Sequence, residues 1–147
     1  MIKIIPMEAS HASEIAGLEK LCFSSPGSEK SVREELSNPL SLWLTAVDGD
    51  KVAGYIGSKS VLGESDMMNV AVDPDYRRQG IARKLILELI RGLKEKGNHC
   101  LTLEVRSSNT PAIELYLQLG FSQIGKRPGY YRNPREDALI MRKEWDL

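Results

Sequence analysis

Three stretches carry side chains whose types and spacing could do chemistry. In the first, Val70-Ala71-Val72-Asp73-Pro74-Asp75-Tyr76-Arg77-Arg78-Gln79-Gly80-Ile81-Ala82-Arg83, a strand-like run meets a basic turn and the start of a long helix. Amides at a helix start lack intrahelical partners, and the helix dipole is positive there, so the turn suits a phosphate. Gly80 allows close backbone approach, and Arg77, Arg78 and Arg83 add positive charge. A plain strand-turn-helix with a solvated basic cap fits the same spacing. The turn has neither GKS/GKT nor GxGxxG, which argues against nucleotide hydrolysis and dinucleotide redox chemistry.

The second stretch is Cys100–Val105 with the helix after it. Leu101, Leu103 and Val105 alternate onto one face, so Glu104 projects from the other with Thr102. A carboxylate on a central strand needs a partner or water, and an ion pair with a basic neighbour would satisfy it. Tyr116 reads as a core aromatic with a hydrogen-bonded tip, and Asn109 as a helix cap. The third stretch is Tyr130-Tyr131, a pair that on a strand would pack on opposite faces. Cys100 is a poor candidate for an acyl-carrying nucleophile, because adjacent His99 points to the opposite strand face.

The elements that must position these groups follow from periodicity. Met1–Pro6 reads as a strand and Ser10–Phe23 as a helix, with Ser10 as candidate cap. Ser28–Leu36 reads as a second helix, where Ser31-x-x-Glu34 fits a capping box. Leu42–Val47 and Lys51–Ser60 form a hairpin around Asp48-Gly49-Asp50. Asp66–Val72 is a strand and Gln79–Lys96 a long helix, with Ile81, Leu85, Leu89 and Leu93 along one apolar row. Cys100–Val105 is a strand, Asn109-Thr110-Pro111 opens a helix ended by Gly120, and Phe121–Gly125 and Ala138–Met141 close the chain as strands. This order predicts one domain over residues 1–147, of class α/β (α+β), with a mixed twisted sheet and helices on both faces.

Composition sets the remaining bounds. Hydrophobic residues are 41% and charged residues 27%, a globular balance. Lys+Arg (20) equals Asp+Glu (20), so no global field draws the chain to nucleic acid or an anionic membrane. Cys22 and Cys100 form no disulfide framework, and with His11 and His99 they show no metal spacing, so no metal is expected. The N-terminus MIKIIPMEAS has no signal-peptide character and no apolar run is long enough to span a bilayer, so a cytoplasmic location is expected.

Arg78-Gln79-Gly80-Ile81-Ala82 resembles the R/Q-x-x-G-x-G/A signature of the GNAT superfamily of acetyltransferases, with Ala82 at the second glycine position. The resemblance also covers Asn69–Arg83, Leu103–Phe121 and Tyr130–Met141, nearly the whole chain. Within the superfamily the chain is similar to the RimI-type ribosomal-protein alanine N-acetyltransferases, with protein N-terminal acetyltransferases as relatives. The similarity rests on Leu103-Glu104-Val105-Arg106-Ser107-Ser108-Asn109 with Ala112-Ile113 and Leu115-Tyr116, and on Tyr130-Tyr131 with Glu136-Asp137-Ala138 and Met141.

The resemblance implies a GNAT sheet of about seven strands. It implies acetyl-CoA as co-substrate, its pyrophosphate cradled by Arg77, Arg78, Gln79, Gly80, Ile81, Ala82 and Arg83, and its pantetheine arm on the backbone of Val70, Ala71 and Val72. Glu104 would act as general base through water, Tyr116 as general acid at the sulfur, and Asn109 as a further cofactor contact. Tyr130 and Tyr131 would clamp the acceptor, and Ser24–Lys30, with Pro26 and Gly27, would form the facing wall. Relatives often carry an aromatic after this proline where the chain has Gly27, which leaves the preferred first substrate residue open.

The function so implied is direct acetyl transfer, in a ternary complex, to the α-amine of a peptide or protein N-terminus, with the N-terminal alanine of a small-subunit ribosomal protein as a candidate. The expected enzyme is a monomer that binds neither nucleic acid nor membrane. An α-amine titrates about 2.5 units below lysine, which makes its deprotonation easier by about 3.4 kcal/mol at neutral pH and suits one water-relayed glutamate. The alternatives are acetylation of a small-molecule amine or a lysine side chain, and a non-catalytic acyl-CoA-binding regulator.

Overall fold

The computed structural model describes residues 1–23 and 26–146. Ser24 and Ser25, expected in the loop and wall between the first two helices, lie outside the described residues. The chain orders as β1 (Ile2–Pro6), α1 (Ala12–Cys22), α2 (Glu29–Leu36), β2 (Ser41–Asp48), β3 (Lys51–Val61), β4 (Glu64–Val72), α3 (Ile81–Glu95), β5 (Cys100–Arg106), α4 (Thr110–Gln118), β6 (Ser122–Tyr131) and β7 (Glu136–Glu144). The expected order of strands and helices is present, with 3-10 turns added at Ala9–His11 and Pro74–Tyr76.

Several boundaries differ from expectation, among them β7, which runs over Glu136–Glu144 and not only Ala138–Met141. Ser10 lies inside the first 3-10 turn and does not cap α1, whose start has no side-chain cap. Ser28, not Ser31, caps α2 by accepting the Ser31 amide at 3.1 Å. Helix α3 begins at Ile81, because Gly80 takes the left-handed φ of +73° and cannot belong to it. Strand β6 runs on to Tyr131 because β7 pairs with it along that length, Tyr131 standing opposite Glu136.

The seven strands form one sheet in the order β1-β2-β3-β4-β5-β7-β6. Helix α3 packs its Ile81, Leu85, Ile86, Leu89 and Leu93 row on one face, over Leu44, Ile56, Leu101 and Leu103. Helices α1 and α2 cover the other face through Ile15, Leu18 and Val32, over Trp43, Val52, Tyr55 and Ala71. Trp43 lies flat against the chain at Gly57, where a Cβ would meet the indole at 2.4 Å. Its ring stacks on Tyr55 at 5.9 Å between centroids.

One irregularity opens the sheet. Strands β4 and β5 run parallel but, among the described residues, pair only over Glu64–Asp66 with Cys100–Thr102. Directly beyond, Met68 is an extra residue on β4: Asn69 stands opposite Gly57 and Met67 opposite Ser58. Such a bulge bends its strand and shifts its faces. Met67 therefore packs with the α3 core, while Asn69 reaches α1 on the other face. Past the bulge, β4 and β5 diverge.

Candidate active site

The divergence leaves one side of β4 without a strand neighbour. The Asp73 amide donates to the Ala53 carbonyl at 2.8 Å. By antiparallel alternation Ala71 then exchanges its bonds with Tyr55, opposite it, while Val70 and Val72 turn their amides and carbonyls into the opening. Of the three residues expected to hold an extended arm by their backbone, two present free edges and Ala71 serves the sheet.

At the end of that edge, the turn before α3 holds Arg78 at φ +65° and Gly80 at φ +73°. A Cβ on Gly80 would meet nothing within 4 Å, so the backbone angle, not crowding, calls for glycine there. Among the described residues no side chain caps α3, and its first amides are left for an outside acceptor. Arg77, Arg78, Gln79 and Arg83 are exposed around them, while Ile81 is buried beneath α3. The turn thus fits a phosphate by its amides, its dipole and its charge. Arg77 also reaches back to the Cys22 sulfur at 3.8 Å, which connects the turn to the end of α1.

The Glu104 face of β5 looks toward the α1–α2 side. A cavity of about 300 Å³ is lined there by Glu104, Thr102, Arg127, Tyr130, Met67 and Met68, among others. The expected basic partner of Glu104 is present: Arg127 Nε stands 3.1 Å from Oε2. The approach lacks hydrogen-bond alignment, so among the described residues Oε2 is buried without a hydrogen-bond partner. A second cavity, of about 510 Å³, lies between Cys22 and Phe23 on one side and Tyr130, Tyr131 and Arg106 on the other, with Asn69 at its floor. A third, of about 300 Å³, includes Gly27, Glu19, Ser31, Trp43, Met68 and Asn69 in its lining. Tyr130, Met68 and Asn69 are each shared by two of these cavities, so the three form one branched cleft.

Tyr130 and Tyr131 do not pack on opposite faces. Their rings meet edge to face at 5.1 Å, where Gly129 at φ +59° breaks the strand's regularity. Arg106 stacks over Tyr131 at 4.4 Å and Arg127 stands over Tyr130 at 5.7 Å. Burial, followed by the nearby Glu104 carboxylate, pushes the Tyr131 phenol up to about 12. Tyr116 is buried in the α3-side core against Phe121, and burial, then Tyr131, pushes its phenol up to about 12 as well. Tyr131 is thus a charge neighbour of both Glu104 and Tyr116.

Three expected residues stand apart from the cleft. Tyr116, buried in the α3-side core, lines none of the three cavities. Asn109 caps α4, accepting the Ala112 amide at 3.3 Å, so its side chain is used by the helix. Pro26 is exposed and lines none of the three cavities.

Other groups of the site escaped sequence reasoning. Arg106 donates to the Pro134 and Arg132 carbonyls at 3.0 Å each and pairs with Glu136 at 3.2 Å. Glu136 also accepts the Ser108 amide at 2.6 Å, and its carboxyl is held below the usual range first by the Ser108 side chain and then by that amide, Arg106 and Ser107. Together they bolt the β6–β7 loop onto the end of β5, beside the tyrosine pair. Glu19, deep in α1, accepts from Tyr55 Oη, from Asn69 Nδ2 at 3.1 Å and from the Gly27 amide at 3.3 Å. A glutamate four residues after Ile15 on the buried face of α1 was the available signal. Among the described residues no group of three or more His, Cys, Asp or Glu is placed to hold a metal. Among them too, no helix is long and apolar enough to cross a membrane.

The family described as "Acetyltransferase (GNAT) family" matches residues 12–121. The chain is 38% identical over 144 residues to the [ribosomal protein bS18]-alanine N-acetyltransferase of Escherichia coli, covering 96% of each chain. It is 40% identical over 127 residues to the enzyme of the same name in Salmonella typhimurium, covering 84% of each. The crystal structure of the ribosomal-protein-S18-alanine N-acetyltransferase from Escherichia coli superposes with a TM-score of 0.91 at 36% identity, over 100% of this chain and 96% of that one. Arabidopsis thaliana NAA60, at 19% identity and a TM-score of 0.90 over 99% and 100% of the chains, shares the fold.

Proposed function

The chain belongs to the acetyltransferase (GNAT) family, and from that premise we propose that it transfers acetyl from acetyl-CoA to the free α-amine of a peptide or protein N-terminus. The observation that carries the reading is the opening between β4 and β5, with Glu104 facing a cavity it shares with Tyr130. The N-terminal alanine of ribosomal protein bS18 is the acceptor that the names of the most similar enzymes suggest. A monomer working in the cytoplasm, with a peptide or protein N-terminus as its partner, completes the proposal.

Val70 and Val72 would hold the extended arm of acetyl-CoA by their free backbone groups, and the turn at Arg77, Arg78, Gln79, Gly80, Ile81, Ala82 and Arg83 its pyrophosphate. Acetyl-CoA supplies an activated thioester. Tyr130 and Tyr131 position the first residues of the acceptor against the wall at Gly27. Glu104 takes a proton from the α-ammonium through a water molecule. The freed nitrogen then forms the C–N bond as the C–S bond breaks. Tyr116, whose phenol stays protonated at neutral pH, gives its proton to the leaving sulfur and regains one from the new amide nitrogen, while the proton taken by Glu104 returns to water. Placed acid and base groups of this kind contribute roughly 10²–10⁴-fold.

The test is mass spectrometry of a peptide panel incubated with acetyl-CoA, varying the first two residues. The expected product carries one acetyl group on its first residue, and prior blocking of that amine abolishes it. Acetylation confined to lysine side chains or to small amines would overturn the reading.

A further inference from the structure

Glu19 is only 4% exposed and, among the described residues, is the one charged side chain buried this deeply. An interior carboxylate is costly unless donors surround it. Here three donors do. Its Oε1 faces the sheet and accepts from Tyr55 Oη and Asn69 Nδ2, while its Oε2 accepts the Gly27 amide at 3.3 Å. One carboxylate therefore joins three separate pieces of chain: β3, the bulged part of β4, and the segment between α1 and α2.

Two of those pieces border the cleft. Asn69 lines both the tyrosine cavity and the Gly27 cavity. Gly27 has no side chain with which to anchor itself, so its backbone amide is what can be held. A Cβ there would stand 3.2 Å from Ser31 Oγ and 3.8 Å from the Glu19 carboxyl carbon, so the wall rests close on both. We propose that Glu19 is a positioning residue for the acceptor peptide: it holds the Gly27 wall at a fixed distance from β4 and thereby sets the width of the acceptor cleft. The inference rests on the acetyltransferase reading for its kinetic consequence, not for its geometry.

Glu19 acts through the wall and does not touch the donor turn, which predicts a separation of the two Michaelis constants. In Glu19→Ala, Tyr55 Oη, Asn69 Nδ2 and the Gly27 amide lose their acceptor together. Glu19→Gln keeps its one acceptor oxygen for Tyr55 and Asn69 and turns its NH₂ toward the Gly27 amide, so the bond to the wall is the one lost. Tyr55→Phe removes one anchor to the sheet and leaves the bond to Gly27 in place.

The experiment pairs steady-state kinetics with amide hydrogen exchange on the full chain and these three variants. With an alanine-starting peptide, the peptide KM is expected to rise by about tenfold or more in Glu19→Ala, less in Glu19→Gln and least in Tyr55→Phe. The acetyl-CoA KM should stay within about threefold throughout. The Gly27 amide should exchange faster in both Glu19 variants, with α3 protection unchanged. Exchange at Gly27 that does not respond to Glu19→Gln overturns the inference, whatever the enzyme acetylates. So does a peptide KM that stays put in both Glu19 variants, or an acetyl-CoA KM that rises equally. If the wild-type chain acetylates no peptide, the proposed function fails while the exchange result still decides the role of Glu19. Should Glu19→Ala not fold, the Gln and Phe variants carry the comparison.

Discussion

Glu104 sits between two demands, burial without a full complement of hydrogen bonds and pairing with a cation. Arg127 answers the second only loosely, since its side chain is 58% exposed. An ion pair to so exposed a partner is worth about 0–1 kcal/mol. An incoming α-ammonium can therefore take the place of Arg127 beside the carboxylate at small cost. Glu104→Gln keeps the shape and removes the base, so kcat/KM should fall by about 10²–10³-fold with the acetyl-CoA KM nearly unchanged. Steady-state kinetics would decide it, and a loss below about threefold would remove Glu104 from the proton path. Tyr116 supplies a prediction at high pH. Its folded value of about 12 lies above the ordinary phenol value of 10. Stability from a raised group is fully present below the unfolded value and is lost as pH climbs through the folded one. Denaturant midpoints should thus decline between pH 10 and 12, and Tyr116→Phe should flatten that decline. A slope identical to wild type would contradict the assigned cause. This change should also slow turnover at neutral pH, where the phenol is the proposed proton donor.

At the scale of elements, the two glycines Gly57 and Gly80 separate packing from conformation. Gly57→Ala drives a Cβ to 2.4 Å from the buried Trp43 ring. Overpacking of this kind costs about 1–3 kcal/mol, read as a lower denaturant midpoint. Gly80→Ala meets no atom within 4 Å but must adopt φ +73°. The cost should be about 1 kcal/mol, with the larger effect on the acetyl-CoA KM because the turn before α3 relaxes. Equal stability losses in the two variants would refute this division. The same contrast explains what was legible in the sequence. Alternation along Cys100–Val105 placed Glu104 correctly, and the Ile81–Leu93 row marked the packed face of α3, because each depends on local periodicity. The bulge at Met68 leaves no mark on composition, since it is fixed by how β4 pairs with β3 and parts from β5. Arg78 at φ +65° was equally hidden, because a non-glycine residue in that region is held there by the surrounding turn. Glu19 read as an ordinary helix residue because its three donors come from elements distant in the chain.

Across the whole molecule, the sheet is weakest where the chemistry is proposed to occur. Among the described residues, strands β1 to β4 and strands β5 to β7 form two blocks joined directly by a parallel ladder of only three residue pairs. Helix α3 and its core span that joint from one side, while the opposite side is hollowed by the branched cleft. A ligand lying along the free edge of β4, with its phosphates at the start of α3, would fill the opening and bind only the folded chain. Such a ligand stabilises by about 2.7 kcal/mol at one hundred times its dissociation constant. For a domain of this size that corresponds to a rise in Tm of roughly 5–10 °C. Thermal unfolding in saturating CoA should show this shift. Arg78→Ala combined with Arg83→Ala should reduce it at fixed CoA concentration while leaving the ligand-free Tm within about 2 °C, because both side chains are exposed. The acetyl group is not needed for the effect, so CoA and acetyl-CoA should stabilise alike if the pyrophosphate and arm supply the binding. Equal Tm with and without CoA would mean that the opening between the two blocks is not where the coenzyme lies. The proposed roles of Glu104 and Tyr116 would lose their basis together, since both depend on a thioester held in that opening.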